Sequence, residues 1–151
     1  MSNEKIADFS LLATSGLDFA LSKQAGKAVV LYFYPKDATP GCTTEAQEFR
    51  DLHPQFTAAG AEVFGISRDS IKSHENFKAK QNLPFELLSD PDEKVCSQFD
   101  VIKNKKLYGK DVRGIERSTF VIGKDGAMRR EWRGVKVPGH AAEVLEFVKS
   151  L

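Results

Sequence analysis

The chain has little cysteine, little histidine and almost no net charge, and each shortage removes a class of function. Its two cysteines, Cys42 and Cys96, among 151 residues cannot build the disulfide framework of a small secreted domain. They are also too far apart in sequence to form the Cys-x-x-Cys pair of a thiol–disulfide oxidoreductase. The three histidines stand in no spacing with the cysteines that suits zinc, so no metal is expected. His53 and His74 read as surface groups, and His140 as support for the start of a terminal helix. The 22 basic and 21 acidic residues leave a formal net charge of +1, too small a field to drive binding to nucleic acid or an anionic membrane. No apolar run approaches the length of a membrane-spanning helix. The opening Met1-Ser2-Asn3-Glu4-Lys5 is polar, so no secretory signal is expected and a reducing cytoplasm is the expected compartment. Repeats, low-complexity tracts and Ser/Gly-rich linkers are missing too, and residues 1–151 are expected to form a single domain.

What is present alternates between strand and helix patterns. Residues 9–13 and 17–21 flank Thr14-Ser15-Gly16 as an N-terminal β-hairpin. Residues 28–34, AVVLYFY, form a near-continuous apolar run, as expected of a central strand covered on both faces. Ala46, Phe49, Leu52 and Phe56 then recur at helical spacing, with Pro54 expected to kink or restart the helix. A second buried strand follows over residues 61–67, and strand–helix–strand in this order predicts a right-handed parallel crossover. Asp69 or Ser70 can cap a helix reaching about Gln81, and residues 85–88 form a short strand. In Asp90-Pro91-Asp92-Glu93 the pattern is an N-cap, proline at the first helical position and an acid at the third, with a short helix expected to follow through Val95 and Phe99. Residues 102–114 form a Lys-rich loop without a clear period. Residues 118–122 and 128–132, joined by Gly123-Lys124-Asp125-Gly126, predict a hairpin, and Val144, Leu145, Val148 and Leu151 mark an amphipathic terminal helix. The sum is an α/β fold, a mixed central sheet with helices on both faces.

The chemistry concentrates at Cys42. The strand ending at Tyr34 runs into a Pro- and Gly-containing loop, Pro35-Lys36-Asp37-Ala38-Thr39-Pro40-Gly41, and Cys42 stands where the next helix begins. Unpaired backbone N–H groups and partial positive charge at a helix N-terminus bias a cysteine toward the nucleophilic thiolate.

Pro35-x-x-x-Thr39-x-x-Cys42 resembles the peroxiredoxin motif Pro-x-x-x-Thr/Ser-x-x-Cys. The surrounding FYPKDATPGCTTEAQEFRD, LPFELLSD and RSTFVI segments resemble the bacterioferritin comigratory protein, or PrxQ, branch of that family, over nearly the whole chain. The resemblance implies a thioredoxin-like fold and reduction of hydrogen peroxide and organic hydroperoxides by thiols, without metal or organic cofactor. It makes Cys42 the peroxidatic nucleophile, gives Thr39 the task of holding the peroxide, and has Arg117 stabilise the thiolate and the reacting oxygens. Pro35 shields the pocket, and backbone N–H groups near Gly41 and Cys42 complete the cradle. Glu45, one helical turn beyond Cys42, is expected to orient Arg117 through a bidentate pair.

The resolving cysteine that many members carry is absent: five residues after Cys42 stands Gln47, and residues 71–81 contain none. Cys96, expected as a partly buried packing residue, is the one candidate left. A one-cysteine mechanism with thioredoxin or another external thiol as reductant is therefore expected, with a Cys42–Cys96 disulfide as the alternative. A thiol–disulfide oxidoreductase and a binding module built on Lys103, Lys105, Lys106, Lys110, Arg113, Arg129, Arg130 and Arg133 are the remoter readings; such basic clusters are ordinarily solvated surface. A monomer is expected.

Overall fold

A computed structural model describes residues 4–151; Met1, Ser2 and Asn3 of the polar opening lie outside the described residues. Strands β1 (Ser10–Ala13), β2 (Asp18–Ala20) and β3 (Ala28–Phe33) are followed by helix α1 (Pro40–Ala58), strand β4 (Ala61–Ser67), helix α2 (Ile71–Gln81), strand β5 (Glu86–Ser89) and helix α3 (Lys94–Gln98). Strands β6 (Ile102–Leu107), β7 (Lys110–Ile115), β8 (Ser118–Ile122) and β9 (Met128–Arg133) and helix α4 (His140–Lys149) complete the chain. Seven strands form one sheet in the order β2-β1-β5-β4-β3-β8-β9, and β6 and β7 form a separate two-stranded ribbon. Strand β4 runs parallel to β3 and β5, while β8 and β9 return antiparallel, so the sheet is mixed. The N-terminal hairpin β1–β2 extends the other edge by pairing with β5.

Strand β3 is buried at every position, and the alternation of its side chains divides the interior in two. Val30, Tyr32 and Tyr34 face a cluster with Cys42, Phe49 and Phe56 of α1, Phe77 of α2 and Val144 and Leu145 of α4. Val29, Leu31 and Phe33 face a second cluster with Phe9, Phe19, Val95, Cys96, Phe99 and Phe120. The first layer admits a large ring over β4 only because Gly65 stands opposite Tyr32 in the register. A Cβ at Gly65 would lie 2.8 Å from both the Tyr32 ring and the Leu87 side chain.

Four local expectations change. Helix α1 continues through Pro54 to Ala58 as one helix; Pro54 is exposed, so water can replace the hydrogen bond that its missing N–H denies the Arg50 carbonyl. The segment from Asp90 is a turn, and α3 begins later, at Lys94, behind Glu93, whose φ of 61° is left-handed. Asp90 is buried, and its carboxylate instead accepts the Cys96 N–H at 2.7 Å. The Lys-rich stretch is the β6–β7 hairpin, closed by Tyr108 and Gly109, both at positive φ, the geometry of a tight primed turn. Leu151 lies beyond α4 and is exposed.

Candidate active site

Helix α1 starts where Pro40 forbids an N–H-dependent conformation and supplies a ready-made φ. Thr39 is its N-cap, with extended backbone, and its carbonyl accepts the Thr43 N–H at 2.9 Å. The Thr39 hydroxyl does not cap the helix; it donates to the Lys36 carbonyl at 2.8 Å, folding the loop back on itself. Cys42 therefore sits in the first turn, among the helix's unpaired N–H groups, with only 2% of its surface exposed.

Arg117 arrives from the turn between β7 and β8. One terminal nitrogen, Nη2, points at the Cys42 Sγ from 3.5 Å, and the other, Nη1, donates to Glu45 Oε1 at 2.6 Å. Burial works against the guanidinium's charge, but Glu45 and the Cys42 sulfur outweigh it and raise the Arg117 pKa. Gly41 makes room for this approach: a Cβ there would lie 3.2 Å from Arg117 Nη2.

Glu45 meets Arg117 through a single oxygen, and the bidentate pair expected from the sequence is absent; its Oε2 is buried without a hydrogen-bond partner. Burial is the leading reason that its pKa rises to about 7, with Arg117 opposing the rise. A carboxyl so placed holds its charge only while the guanidinium stays beside it.

The structure brings Cys42, Arg117, Glu45 and Gly41 into one contact group and puts Thr39 at the same helix end. Pro35 follows β3 at the start of the loop and is exposed. Cys96 stands apart: it is fully buried in the cluster on the opposite face of the sheet, and both cysteines are free. Burial, reinforced by Asp90, pushes the Cys96 thiol well above its ordinary pKa, which removes its reactivity as a thiolate.

His74 corrects the sequence reading. It is completely buried under the active loop rather than on the surface, bonded through Nδ1 to Asp37 at 2.7 Å and through Nε2 to the Leu88 carbonyl at 2.8 Å. The signal was its spacing from Phe77, which puts both on the buried side of α2. His53, half-buried, pairs with Glu62, whereas His140 does open α4, hydrogen-bonded to Thr119 Oγ1 at 2.8 Å. Among the described residues, Asp37, Asp69 and His74 form one group of metal-capable atoms lying within 4.8 Å of one another. Those atoms are already occupied by hydrogen bonds from Tyr34, Ser67, Ser73 and the Asp37 N–H.

A cysteine sulfur in the first turn of a helix, faced by a half-buried arginine on a thioredoxin-like sheet, defines a thiol peroxidase. The comparisons agree. Residues 2–131 match the AhpC/TSA family, and the chain belongs to it, as a peroxiredoxin of the Bcp or PrxQ type. It is 53% identical over 143 residues to peroxiredoxin Bcp of Xanthomonas campestris, covering 95% of this chain and 89% of that one. It is 51% identical to peroxiredoxin Bcp of Bacillus subtilis, covering 98% and 94%. A cysteine-to-serine mutant of PrxQ from Xylella fastidiosa superposes with a TM-score of 0.94 at 47% identity, covering 99% and 96%. No helix among the described residues is long and apolar enough to cross a membrane.

Proposed function

We propose that this peroxidase reduces hydrogen peroxide and organic hydroperoxides at Cys42 by a one-cysteine mechanism. The observation that carries the reading is the Arg117 Nη2 contact with Sγ at 3.5 Å, backed by the buried Glu45. The Cys42 thiolate attacks one peroxide oxygen: an S–O bond forms, the O–O bond breaks, and the other oxygen leaves as hydroxide or alkoxide, taking up a proton to become water or an alcohol. Negative charge moves from sulfur along the line of the two oxygens. Arg117 and the N–H groups of the first turn are fixed donors along that path; the Thr39 hydroxyl, its proton on the Lys36 carbonyl, offers its oxygen to the peroxide O–H, and Pro35 screens the loop from solvent. Donors aimed at developing charge in a closed site are each worth about 3 kcal/mol of barrier.

The sulfenic acid left on Cys42 is then attacked by an external thiol, which releases water and forms a mixed disulfide. A second thiol equivalent takes over the first and frees Cys42. Thioredoxin is the favoured donor, with smaller thiols as the second possibility; the closed environment of Cys42 means that a protein donor reaches the sulfur only after the first turn of α1 opens. The position of Cys96 on the other side of the sheet favours this course over an internal disulfide. Organic hydroperoxides are included because the Xanthomonas campestris bacterioferritin comigratory protein, 52% identical, is described by its alkyl peroxide reduction activity. The balanced charge and unpaired cysteines favour a monomer of the reducing cytoplasm that binds neither nucleic acid nor membrane.

Steady-state peroxide consumption with a panel of thiol donors tests the reading. Cys42→Ser abolishes turnover, Thr39→Val lowers the rate of peroxide attack, and Cys96→Ala leaves turnover per folded molecule intact. A Cys96 variant that reacts once with peroxide and then stalls overturns the one-cysteine assignment.

A further inference from the structure

The loop that carries Pro35 and Thr39 is fastened to the rest of the molecule at Asp37. This carboxylate is 6% exposed and collects three donors. Tyr34, just after β3, gives its hydroxyl to Oδ1 at 2.6 Å; from α2, Ser73 gives its hydroxyl to Oδ2 at 2.8 Å, and His74 Nδ1 lies 2.7 Å from the same oxygen. The Asp37 N–H donates to Asp69 Oδ2 at 2.9 Å, and Ser67 at the end of β4 holds that oxygen at 2.6 Å. Neighbouring Ala38 has a φ of 64°, a left-handed conformation that a non-glycine residue keeps only when its surroundings impose it.

The His74 ring is held at both of its nitrogens. Nε2 lies 2.8 Å from the Leu88 carbonyl of β5 and Nδ1 lies 2.7 Å from Asp37 Oδ2. Burial works against the charge of Asp37, but the His74, Tyr34 and Ser73 bonds outweigh it and lower the Asp37 pKa. The Tyr34 hydroxyl, 3.4 Å from Nδ1, spends its proton on Asp37. The polar groups around the ring are Asp37 from the loop, Tyr34 just after β3 and Asp69 just after β4.

We infer that Asp37 and His74 are positioning residues of the peroxidase site: the His74 ring, gripped between the Asp37 carboxylate and the Leu88 carbonyl, ties the active loop to α2 and β5 and so sets Thr39 where it meets the peroxide at Cys42. The inference rests on the role of Thr39 given above. Loss of either contact of the His74 ring loosens the loop, slowing attack on peroxide while leaving the sulfur's reactivity toward other electrophiles alone.

The experiment measures two rates for Cys42 from mildly acidic to alkaline pH, oxidation by hydrogen peroxide and alkylation by iodoacetamide, in wild type, His74→Gln, Asp37→Asn and the double variant. Each single variant is expected to oxidise about 10- to 100-fold more slowly, the usual cost of a slightly misplaced catalytic group, with alkylation nearly unchanged. The double variant, whose two amides can hydrogen-bond without charge, is expected to recover part of the loss. A folded His74→Gln protein that matches wild type toward peroxide at every pH overturns the inference, as does a parallel fall in both rates. Should these variants fail to fold, Ser73→Ala, which removes one bond to Asp37, decides: slower oxidation with unchanged alkylation upholds the inference, and wild-type oxidation overturns it. Thr39→Val separates the two readings, because an unimpaired Thr39→Val protein removes the role of Thr39 whatever His74 does.

Discussion

Glu45 holds Arg117 by one oxygen, at 2.6 Å, and keeps the other buried with nothing to bind. The pair is thus strong enough to aim the guanidinium at sulfur and incomplete enough to be sensitive to the charge on Glu45.

That sensitivity has a sign. The Glu45 pKa rises from 4.5 to about 7 on folding, so the folded protein binds a proton that the unfolded chain has released. The resulting stability is fully present below pH 4.5 and is lost as pH rises through about 7; its size is about 3 kcal/mol. Denaturant titrations of wild type and Glu45→Gln over this range are expected to diverge, the variant showing the flatter dependence. Parallel curves contradict it.

Removing the arginine uncovers a buried charge as well as the sulfur. Arg117→Met is expected to lower the rate of peroxide attack by about 100- to 1000-fold and to cost about 3–5 kcal/mol of stability at pH values where Glu45 is ionised. Adding Glu45→Gln should return much of the stability and none of the rate. Rapid-mixing oxidation kinetics beside thermal unfolding distinguish the two effects.

Gly41 separates rate from stability in the opposite direction. Alanine suits a helix first turn better than glycine by about 0.5–1 kcal/mol, but its Cβ would stand 3.2 Å from Arg117 Nη2. Gly41→Ala is expected to melt no lower than wild type while reacting about 10-fold more slowly with peroxide, as the guanidinium is displaced by a few tenths of an ångström. Equal rates would show that the guanidinium tolerates the shift.

Cys96 is a packing residue, so the choice of substitute matters. Cys96→Ser buries a hydroxyl in the apolar cluster and is expected to cost about 1–3 kcal/mol, whereas its activity per folded molecule stays at the wild-type level. Mass mapping of peroxide-treated protein under non-reducing conditions is expected to find no Cys42–Cys96 link.

The parts of the molecule visible in its sequence are those where one force dominates. Residues 28–33 are apolar throughout because both faces are covered, and the β8–β9 hairpin has a buried strand running into a Gly-Lys-Asp-Gly turn. Cys42 was legible because helix start, loop and motif coincide. The β6–β7 hairpin was not, since Lys103, Lys105 and Lys106 carry no apolar alternation and the last two are exposed, and its turn uses Tyr108-Gly109 in place of a more familiar pair. His74 was hidden for a different reason. Its burial is tolerated because Asp37 and the Leu88 carbonyl, both distant in sequence, take its two ring nitrogens, and no local pattern records a partner across the fold. The same holds for Glu45, where the helical spacing from Cys42 was readable but the unpaired oxygen was not.

On the one-cysteine course proposed above, the sheet standing between the two sulfurs makes the oxidised lifetime of the enzyme a property of its surroundings. A molecule so built stays marked until it collides with a donor. Its persistence therefore shortens in proportion to donor concentration, and a cell short of reducing power accumulates the marked form.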